Sequence, residues 1–444
     1  MRIALLSFEY PPDTGFGGIG TYTWYQARAL ARLGHDVHVL AGATEPTGTL
    51  RHSEHDGVRV HRFRAGGAPM RMLQSLDGPR LWWTKNRLGN AWSFLRGFDQ
   101  LLERHGFDVV EFPECGGEGA LLAPLRDVPA VVKFHSPARL IMGCYDVRAE
   151  DMPITSLIER VGIEHARGHL SCSRFAADEI RRAMGFARPI EVVANGIDLS
   201  LFDAEEPLDV RAHYGLPKDR QLVLFCGRME SRKGIEVCPP IVTAVLERHD
   251  AAFVFAGDDL FGFVEREFKP ALAARSLRGS CHFLGRIPLA HARALARQSD
   301  VFFMPSRWEN CPYACLEAMA ASRAVLAARS SGIPELVVDG DSGLLASLDR
   351  PDEFVRGLER LLGDRPLRER LGAAARRRIE DHYTDVRIAH RTVDCYRRLL
   401  RDPARLARPA PVWHGELVEA IAAVSALFAA ATAADAAPER GPAP

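Results

Sequence analysis

Residues Gln221–Gly234 read QLVLFCGRMESRKG. The short apolar run Gln221–Phe225, without polar alternation, is what a strand covered on both faces of a parallel sheet looks like. Behind it come two cations five positions apart, Arg228 and Lys233, framed by Gly227 and Gly234. A strand, a glycine-framed loop and the opening of a helix make half of a β-α-β unit. Arg presents a planar fork of donors and Lys a mobile point charge, and the amino end of the helix expected next adds partial positive charge, so the loop suits a diphosphate. Alone, the stretch reads as no more than a solvated basic loop. Arg232 has no glycine-framed partner and reads as surface.

Outward from this stretch the same rhythm repeats. Strands are expected at Phe253–Ala256, Cys281–Leu284, Val301–Met304 and Ala324–Ala328 on one side. On the other lies a polar stretch, Asp198–Asp219, with two prolines and six carboxylates. Before it a first series runs through strands Arg2–Phe8, Asp36–Ala41, Val109–Phe112, Ala130–Phe134 and Ile190–Val193, with a helix at Thr21–Leu33. The fold class is α/β, two parallel-sheet domains covered by helices. The expected division is a first domain over 1–199, a linker over 200–217, a second domain over 218–382, a helix over 383–401 and an Ala/Pro-rich tail over 402–444. Such a tail buries too little apolar surface to offset its ordering entropy, although Glu416–Ala431 could form an isolated helix.

Bulk composition narrows the classes. The chain has 444 residues, with 57 Lys plus Arg against 57 Asp plus Glu. That balance excludes a strongly basic nucleic-acid binder and an acidic disordered regulator. The apolar run Ile3–Phe8 is too short for a signal peptide, and Val418–Thr432 is too short for a membrane span. Nine dispersed Cys fit reduced thiols, so a cytoplasmic protein is expected; Cys311 and Cys315 lack the second ligand pair of a metal site.

Two further motifs carry chemistry. Glu309, Pro312 and Glu317 follow the strand Val301–Met304, and Pro312 sets Glu309 in a loop and Glu317 in the helix it initiates. Carboxylates accept hydrogen bonds from vicinal hydroxyls, so a sugar ring and a ribose are natural partners; acids complementing a helix dipole are the plain alternative. Gly15-Phe16-Gly17-Gly18-Ile19-Gly20 matches G-x-G-x-x-G in form, but Glu9–Thr14 separate it from the first strand. That placement disfavours an NAD-dependent oxidoreductase and leaves a glycine loop at a helix amino end, where backbone amides approach a substrate. Glu111 and Glu114 end a first-domain strand and are expected to face an acceptor, because ligands bind at carboxyl ends of strands. Asp258-Asp259, beside Gly257 at a strand end, is not read as a metal site.

In their order and spacing these motifs resemble the family-4 retaining glycosyltransferases of the GT-B fold, from Met1 to about Leu400. The resemblance rests on Pro11-Pro12 with Gly17-Gly18-x-Gly20, His135 in Lys133-Phe134-His135-Ser136, and Asn195-Gly196-Ile197-Asp198. It continues through Gly227-Arg228 with Lys233-Gly234, Gly257-Asp258, Phe283-Leu284-Gly285, Glu309 with Glu317, and Gly332-Ile333-Pro334-Glu335. It implies two facing Rossmann-like domains with an inter-domain cleft. The catalytic set implied is His135, Glu309, Arg228 and Lys233. The donor would be a nucleotide-diphosphate sugar, by family habit UDP-linked, serving as co-substrate with no cofactor and no metal. Arg228 and Lys233 would grip its diphosphate, Glu317 its ribose, Glu309 a sugar hydroxyl and His135 the hydroxymethyl end. Gly17 and Gly18 would let their loop close on the diphosphate or the acceptor. Asn310, Cys311, Pro312 and Tyr313 would line the donor, with backbone amides near Cys311–Ala314 meeting its oxygens. The implied reaction is front-face, the leaving phosphate taking the acceptor proton.

Departures from the family pattern are Ser322 and Ala324 where Gly and Pro are usual, Ser331 for a Gly, and Asp385 for an aromatic. They bear on the shape of the donor-sugar pocket and remove no catalytic group. Met70–Arg104 follows no family pattern. It sets Trp82, Trp83 and Trp92 among Arg71, Arg80, Lys85, Arg87, Arg96 and Arg104, with Asp77, Asp99 and Glu103. It reads as an ordinary amphipathic helix, or as a peripheral membrane contact that meets a lipid-linked acceptor. The acceptor is otherwise a glycan or a small molecule, and a catalytically silent sugar-binding homologue is the remaining alternative.

Overall fold

The computed structural model describes residues 1–15, 17–76, 80–145, 147–204 and 208–407. Phe16, Asp77, the 205–207 part of the expected linker, the tail from 408 and the helix expected at Glu416–Ala431 lie outside the described residues. The chain forms two compact units. The first comprises Met1–Ser171, Ala177–Glu191 and the chain from Val393; the second comprises Cys172–Ala176 and Val192–Thr392. The first unit therefore ends its main run at Glu191 rather than 199 and is completed by a later segment.

The first unit carries strands β1 Arg2–Ser7, β2 Asp36–Gly42, β3 Arg51–His55, β4 Val58–Phe63, β5 Val109–Pro113, β6 Ala130–Phe134, β7 Gly168–Ser171 and β8 Glu191–Val192. They form one sheet in the order β3-β4-β2-β1-β5-β6-β7-β8. Pairing is parallel from β4 to β7, with Ile3 beside Val37 on one flank and beside Val109 on the other. Ile3, Ala4, Leu5 and Leu6 are essentially inaccessible; a large aliphatic side chain buried this way contributes about 1.5–3 kcal/mol relative to exposure. β3 is antiparallel to β4 and wholly exposed, which is why the sequence pattern gave no strand there. It forms because Asp56 and Gly57, at φ 53° and 76°, make the two-residue turn of a hairpin.

The helix Gly18–Arg32 follows β1, and Trp82–Leu102 buries Ala91, Phe94, Leu95, Phe98 and Leu101 at helical spacing. Asp151, from the helix Asp151–His165, accepts from the amides of Trp83 and Thr84 at 2.7 and 2.8 Å and so satisfies the start of the Trp82 helix. Across β2, β4 and β3 runs a row of imidazoles: His38 Nδ1 lies 3.0 Å from His61 Nε2, and His61 Nδ1 lies 2.7 Å from His52 Nδ1.

The second unit holds β9 Gln221–Cys226, β10 Ala251–Ala256, β11 Cys281–Gly285, β12 Val301–Met304, β13 Ala324–Ala328 and β14 Leu344–Ala346, in the order β11-β10-β9-β12-β13-β14. All of its pairs are parallel. The expected helix directly behind Gly234 is displaced. Two 3₁₀ turns, Ser231–Lys233 and Ile235–Val237, come first, and the helix starts at Cys238. Pro239 and Pro240 fix that start, since proline is tolerated in a first turn and not beyond it.

The helix Asp385–Arg401 belongs to the second unit through Thr392 and to the first from Val393. Within the first unit its Tyr396 hydroxyl donates to Glu111 at 2.6 Å.

Candidate active site

In the second unit the loop after β9 gathers charge. Lys233 Nζ donates to Glu309 Oε1. Arg232 bonds Glu230 at 2.9 Å and the Trp308 carbonyl at 3.2 Å, and stands 3.7 Å from Glu309. Arg228, half-exposed, lies 3.3 Å from Glu230. Three cations thus meet two carboxylates, leaving one positive charge in excess. Arg232, expected at the surface, is instead 12% exposed and part of this array; a paired, enclosed guanidinium leaves no sequence signal distinguishing it from a solvated one. Burial alone would raise the Glu309 carboxyl, but Lys233 and Arg232 hold it below the usual carboxylate range. Burial pulls the Lys233 ammonium down against the attraction of Glu309. Gly234 admits no side chain: its φ is 72° and a Cβ would lie 1.9 Å from the Pro305 carbonyl oxygen.

Pro312 caps the helix Tyr313–Ala320, with Glu309 in the loop before it and Glu317 buried within it. Burial pushes the Glu317 carboxyl up to about 7, and its Oε1 has no hydrogen-bond partner among the described residues. The loop between them is pinned by Asn195, whose amide donates to the Cys311 carbonyl at 2.9 Å, and by Gly332, whose N–H donates to the Glu309 carbonyl at 2.8 Å. Asn310, Cys311, Pro312 and Tyr313 are all buried or nearly so in this stretch. Both serine departures occupy left-handed backbone, Ser322 at φ 58° and Ser331 at φ 53°. Glycine is usual there because a side chain in that conformation costs about 1–2 kcal/mol; the chain keeps the geometry with serine, and Ser331 Oγ donates to the Arg307 carbonyl at 3.0 Å. Asp258 pairs with Arg286, and Asp259 accepts from the Phe263 and Val264 amides. Among the described residues no group of three His, Cys, Asp or Glu is placed to hold a metal ion.

In the first unit Gly17 precedes the Gly18–Arg32 helix. A Cβ on Gly17 would fall 2.1 Å from Glu9 Oε2, whereas one on Gly18 would meet nothing within 4 Å. His135 follows β6, buried, edge-on to Tyr22 at 4.9 Å. Burial, helped by Lys133, pushes it down to about 3, so the imidazole is neutral.

The two acids expected to meet an acceptor are occupied otherwise. Glu111 accepts from the Tyr22 and Tyr396 hydroxyls at 2.7 and 2.6 Å, one on each carboxylate oxygen, and burial raises it above the ordinary range. Glu114 accepts from the amides of His135, at 2.8 Å, and Ser136. Burial pushes it up to about 8. It positions the backbone of His135. Two acids that sequence reasoning passed over do similar work: Glu118 accepts from the Phe8 amide at 3.2 Å, and Glu159 from the Ala138 amide at 2.7 Å and from Arg87 at 3.1 Å. Burial pushes Glu118 up to about 8. The spacing Glu114-x-x-x-Glu118 was visible, but acceptors of backbone amides carry no side-chain pattern.

Part of Met70–Arg104 is turned inward, within the Trp82–Leu102 helix. Arg87 is buried against Glu159 and stacks over Trp83 at 4.8 Å, and Arg96 lies over Trp92 at 5.9 Å. Met72 and Trp82 are the large apolar side chains there that stay exposed, at 71% and 54%. No helix among the described residues is long and apolar enough to cross a membrane.

Comparison with known proteins gives two family matches, a glycosyl transferase 4-like domain over residues 17–196 and glycosyl transferases group 1 over residues 209–378. The D-inositol 3-phosphate glycosyltransferase of Streptomyces bingchenggensis is 30% identical over 91% of this chain and 91% of its own length. Among solved structures, the sucrose-phosphate synthase of Thermosynechococcus elongatus matches with a TM-score of 0.72 and 23% identity, over 90% of this chain and 98% of that one. Anabaena HepE in complex with UDP-glucose matches at 0.66 and 16% identity, over 90% and 100%.

Proposed function

Since this chain belongs to the group 1 glycosyl transferases, built on the GT-B fold, we propose that it moves a sugar from a UDP-sugar to an acceptor hydroxyl with retention and without a metal. It is a glycosyltransferase that uses a nucleotide sugar, and the dehydrogenase reading of Gly15–Gly20 is set aside. The observation that carries the finer reading is the surplus positive charge of the Gly227–Gly234 loop. Arg228 and Lys233 take the leaving diphosphate, supplying the charge stabilisation that a divalent cation otherwise provides. As Lys233 turns to phosphate, Glu309 is released to accept from a donor-sugar hydroxyl. Glu317, with an oxygen that has no hydrogen-bond partner among the described residues, accepts from the ribose. Neutral His135 contacts the transferred sugar, and the leaving phosphate oxygen takes the acceptor proton as the new glycosidic bond forms. UDP is favoured because a structural neighbour is described in complex with UDP-glucose. A sugar acceptor, free or phosphorylated, is supported by the relative named for inositol 3-phosphate; if the acceptor is lipid-linked, Met72 and Trp82 are the side chains that meet the membrane.

Donor hydrolysis and transfer across a panel of nucleotide sugars, with and without EDTA, test this reading, with the anomeric configuration of product read by NMR. UDP-sugar turnover indifferent to EDTA, with retained configuration, is expected. Turnover with no nucleotide sugar overturns the assignment; EDTA sensitivity or inversion removes the corresponding half of the mechanism.

A further inference from the structure

The segment Met70–Arg104, which follows no family pattern, supplies a buried cation that the reaction above does not use. On the helix Asp151–His165, Asp151, Thr155 and Glu159 stand four residues apart and so share one face. That face meets the Trp82–Leu102 helix in three places. Asp151 accepts from the Trp83 and Thr84 amides, Thr155 Oγ1 lies 3.4 Å from Thr84 Oγ1, and Glu159 Oε1 accepts from both Nε and Nη2 of Arg87 at 3.1 Å. Arg87 and Glu159 are both buried, and Glu159 has no other ion pair among the described residues.

The second oxygen of Glu159 leads to the site. It accepts from the Ala138 amide at 2.7 Å, at the far end of the short loop that begins with His135. Glu114 holds the near end of that loop through the His135 and Ser136 amides. The Trp82–Leu102 helix also braces the turn that follows Glu114. A Cβ on Gly117, at φ 84°, would lie 2.8 Å from the Arg87 carbonyl oxygen, and Asn90 donates to the Gly116 carbonyl at 3.1 Å. We propose that Arg87 is a positioning residue: by pairing with Glu159 it holds that carboxylate against the Ala138 amide, and so fixes the loop that sets His135 beside the transferred sugar. The proposal rests on the glycosyltransferase reading above and gives the Trp82–Leu102 helix a part in it. A carboxylate buried this deeply without a cation keeps an uncompensated charge or takes a proton, and a proton turns an acceptor oxygen into a donor. Burial already raises the Glu159 carboxyl, and Arg87 opposes it. Without the guanidinium the Ala138 amide loses its acceptor, and the loop loses its second anchor. Arg87 belongs to the first unit and the cations that grip the diphosphate to the second, so its loss slows transfer and spares donor binding.

Arg87→Met removes the guanidinium and keeps bulk beside Trp83. Steady-state transfer, calorimetric binding of UDP and hydrogen exchange read by mass spectrometry are measured on the full chain. kcat is expected to fall about tenfold to a hundredfold, the effect of a small misplacement at a catalytic group, with the UDP Kd unchanged and faster exchange across 135–139. Two charge-free double variants isolate the anchor. Arg87→Met with Glu159→Gln keeps a carbonyl for the Ala138 amide, and Arg87→Met with Glu159→Leu does not. The first is expected to transfer within about threefold of the unaltered enzyme, and the second about tenfold more slowly than the first, the worth of one buried hydrogen bond. If Arg87→Met alone does not fold, the two double variants decide. Arg87→Met with unaltered kcat, or double variants of equal rate, overturns the proposal. Absence of transfer and donor hydrolysis in the unaltered enzyme, with every nucleotide sugar, would instead overturn the glycosyltransferase reading. The exchange across 135–139 would then still report on the tie from Arg87, so the two failures are distinguishable.

Discussion

Both units place acids at the carboxyl ends of their strands, and the two sets of acids do different work. In the first unit Glu114 and Glu118 accept from backbone amides, so they shape loops. In the second, Glu230 and Glu309 face Arg228, Arg232 and Lys233, so they hold cations. The consequence shows in their protonation: burial pushes Glu114 and Glu118 up to about 8, while the cations overcome burial at Glu309 and hold it low. A carboxylate at a strand end is therefore not one kind of group. Its partner decides whether it positions the chain or meets a ligand.

The strongest way to break this contrast is Lys233→Ala. It removes a phosphate-binding cation and leaves buried Glu309 with Arg232 at 3.7 Å as its remaining cation. kcat/KM for the donor is expected to fall by about 10²–10³, measured by steady-state hydrolysis of UDP-sugar. A loss under tenfold would show that the second unit's acids and cations are no more tied to ligand than those of the first.

Next in size is Glu114→Gln, which turns an NH₂ group toward the amides of His135 and Ser136. About a tenfold drop in kcat is expected with the donor KM unchanged, because the variant displaces His135 and leaves the donor loop alone. A purely structural acid would lower the melting temperature without that split between kcat and KM.

The smallest effect is on stability against pH. In the first unit burial pushes His38 down to about 4 and His61, His135 and His169 down to about 3, all from 6.5. Below 6.5 the unfolded chain binds protons that the folded unit refuses, so stability is lost as pH falls. Glu114 and Glu118, raised from 4.5 to about 8, act in reverse: the folded unit keeps protons that the unfolded chain has released, and stability is lost as pH rises from 4.5 to about 8. Below 4.5 only the histidines act, and above 6.5 only the acids. With four histidines against two acids the opposing slopes cancel near pH 6.5, and hydrogen exchange, corrected for its intrinsic pH dependence, should find the first unit most protected there. Protection that keeps rising to pH 8 would show that the two acids are ionised in the fold.

The α/β class, most strand positions and the loop and helix placement of Glu309 and Glu317 were legible because they rest on apolar runs and on Pro312, which act locally. The β3–β4 hairpin was signalled only by Asp56-Gly57, since Arg51–His55 buries nothing. Arg232 and Glu114 were misjudged for a shared reason. Their roles come from partners distant along the chain, Trp308 for one and the His135 amide for the other, and no local pattern records such a partner.

The tie between Tyr396 and Glu111 bears on the order in which the protein can be completed. Chains fold domain by domain as they are synthesised, N-terminal parts first. Here the first unit lacks a member until Val393 and the residues after it exist. Until then one oxygen of Glu111 has no phenol to accept from, in a site that folding otherwise closes to water. All of the second unit's strands are therefore translated before the first unit can close, and a fragment ending at Glu191 would carry that unmet carboxylate permanently.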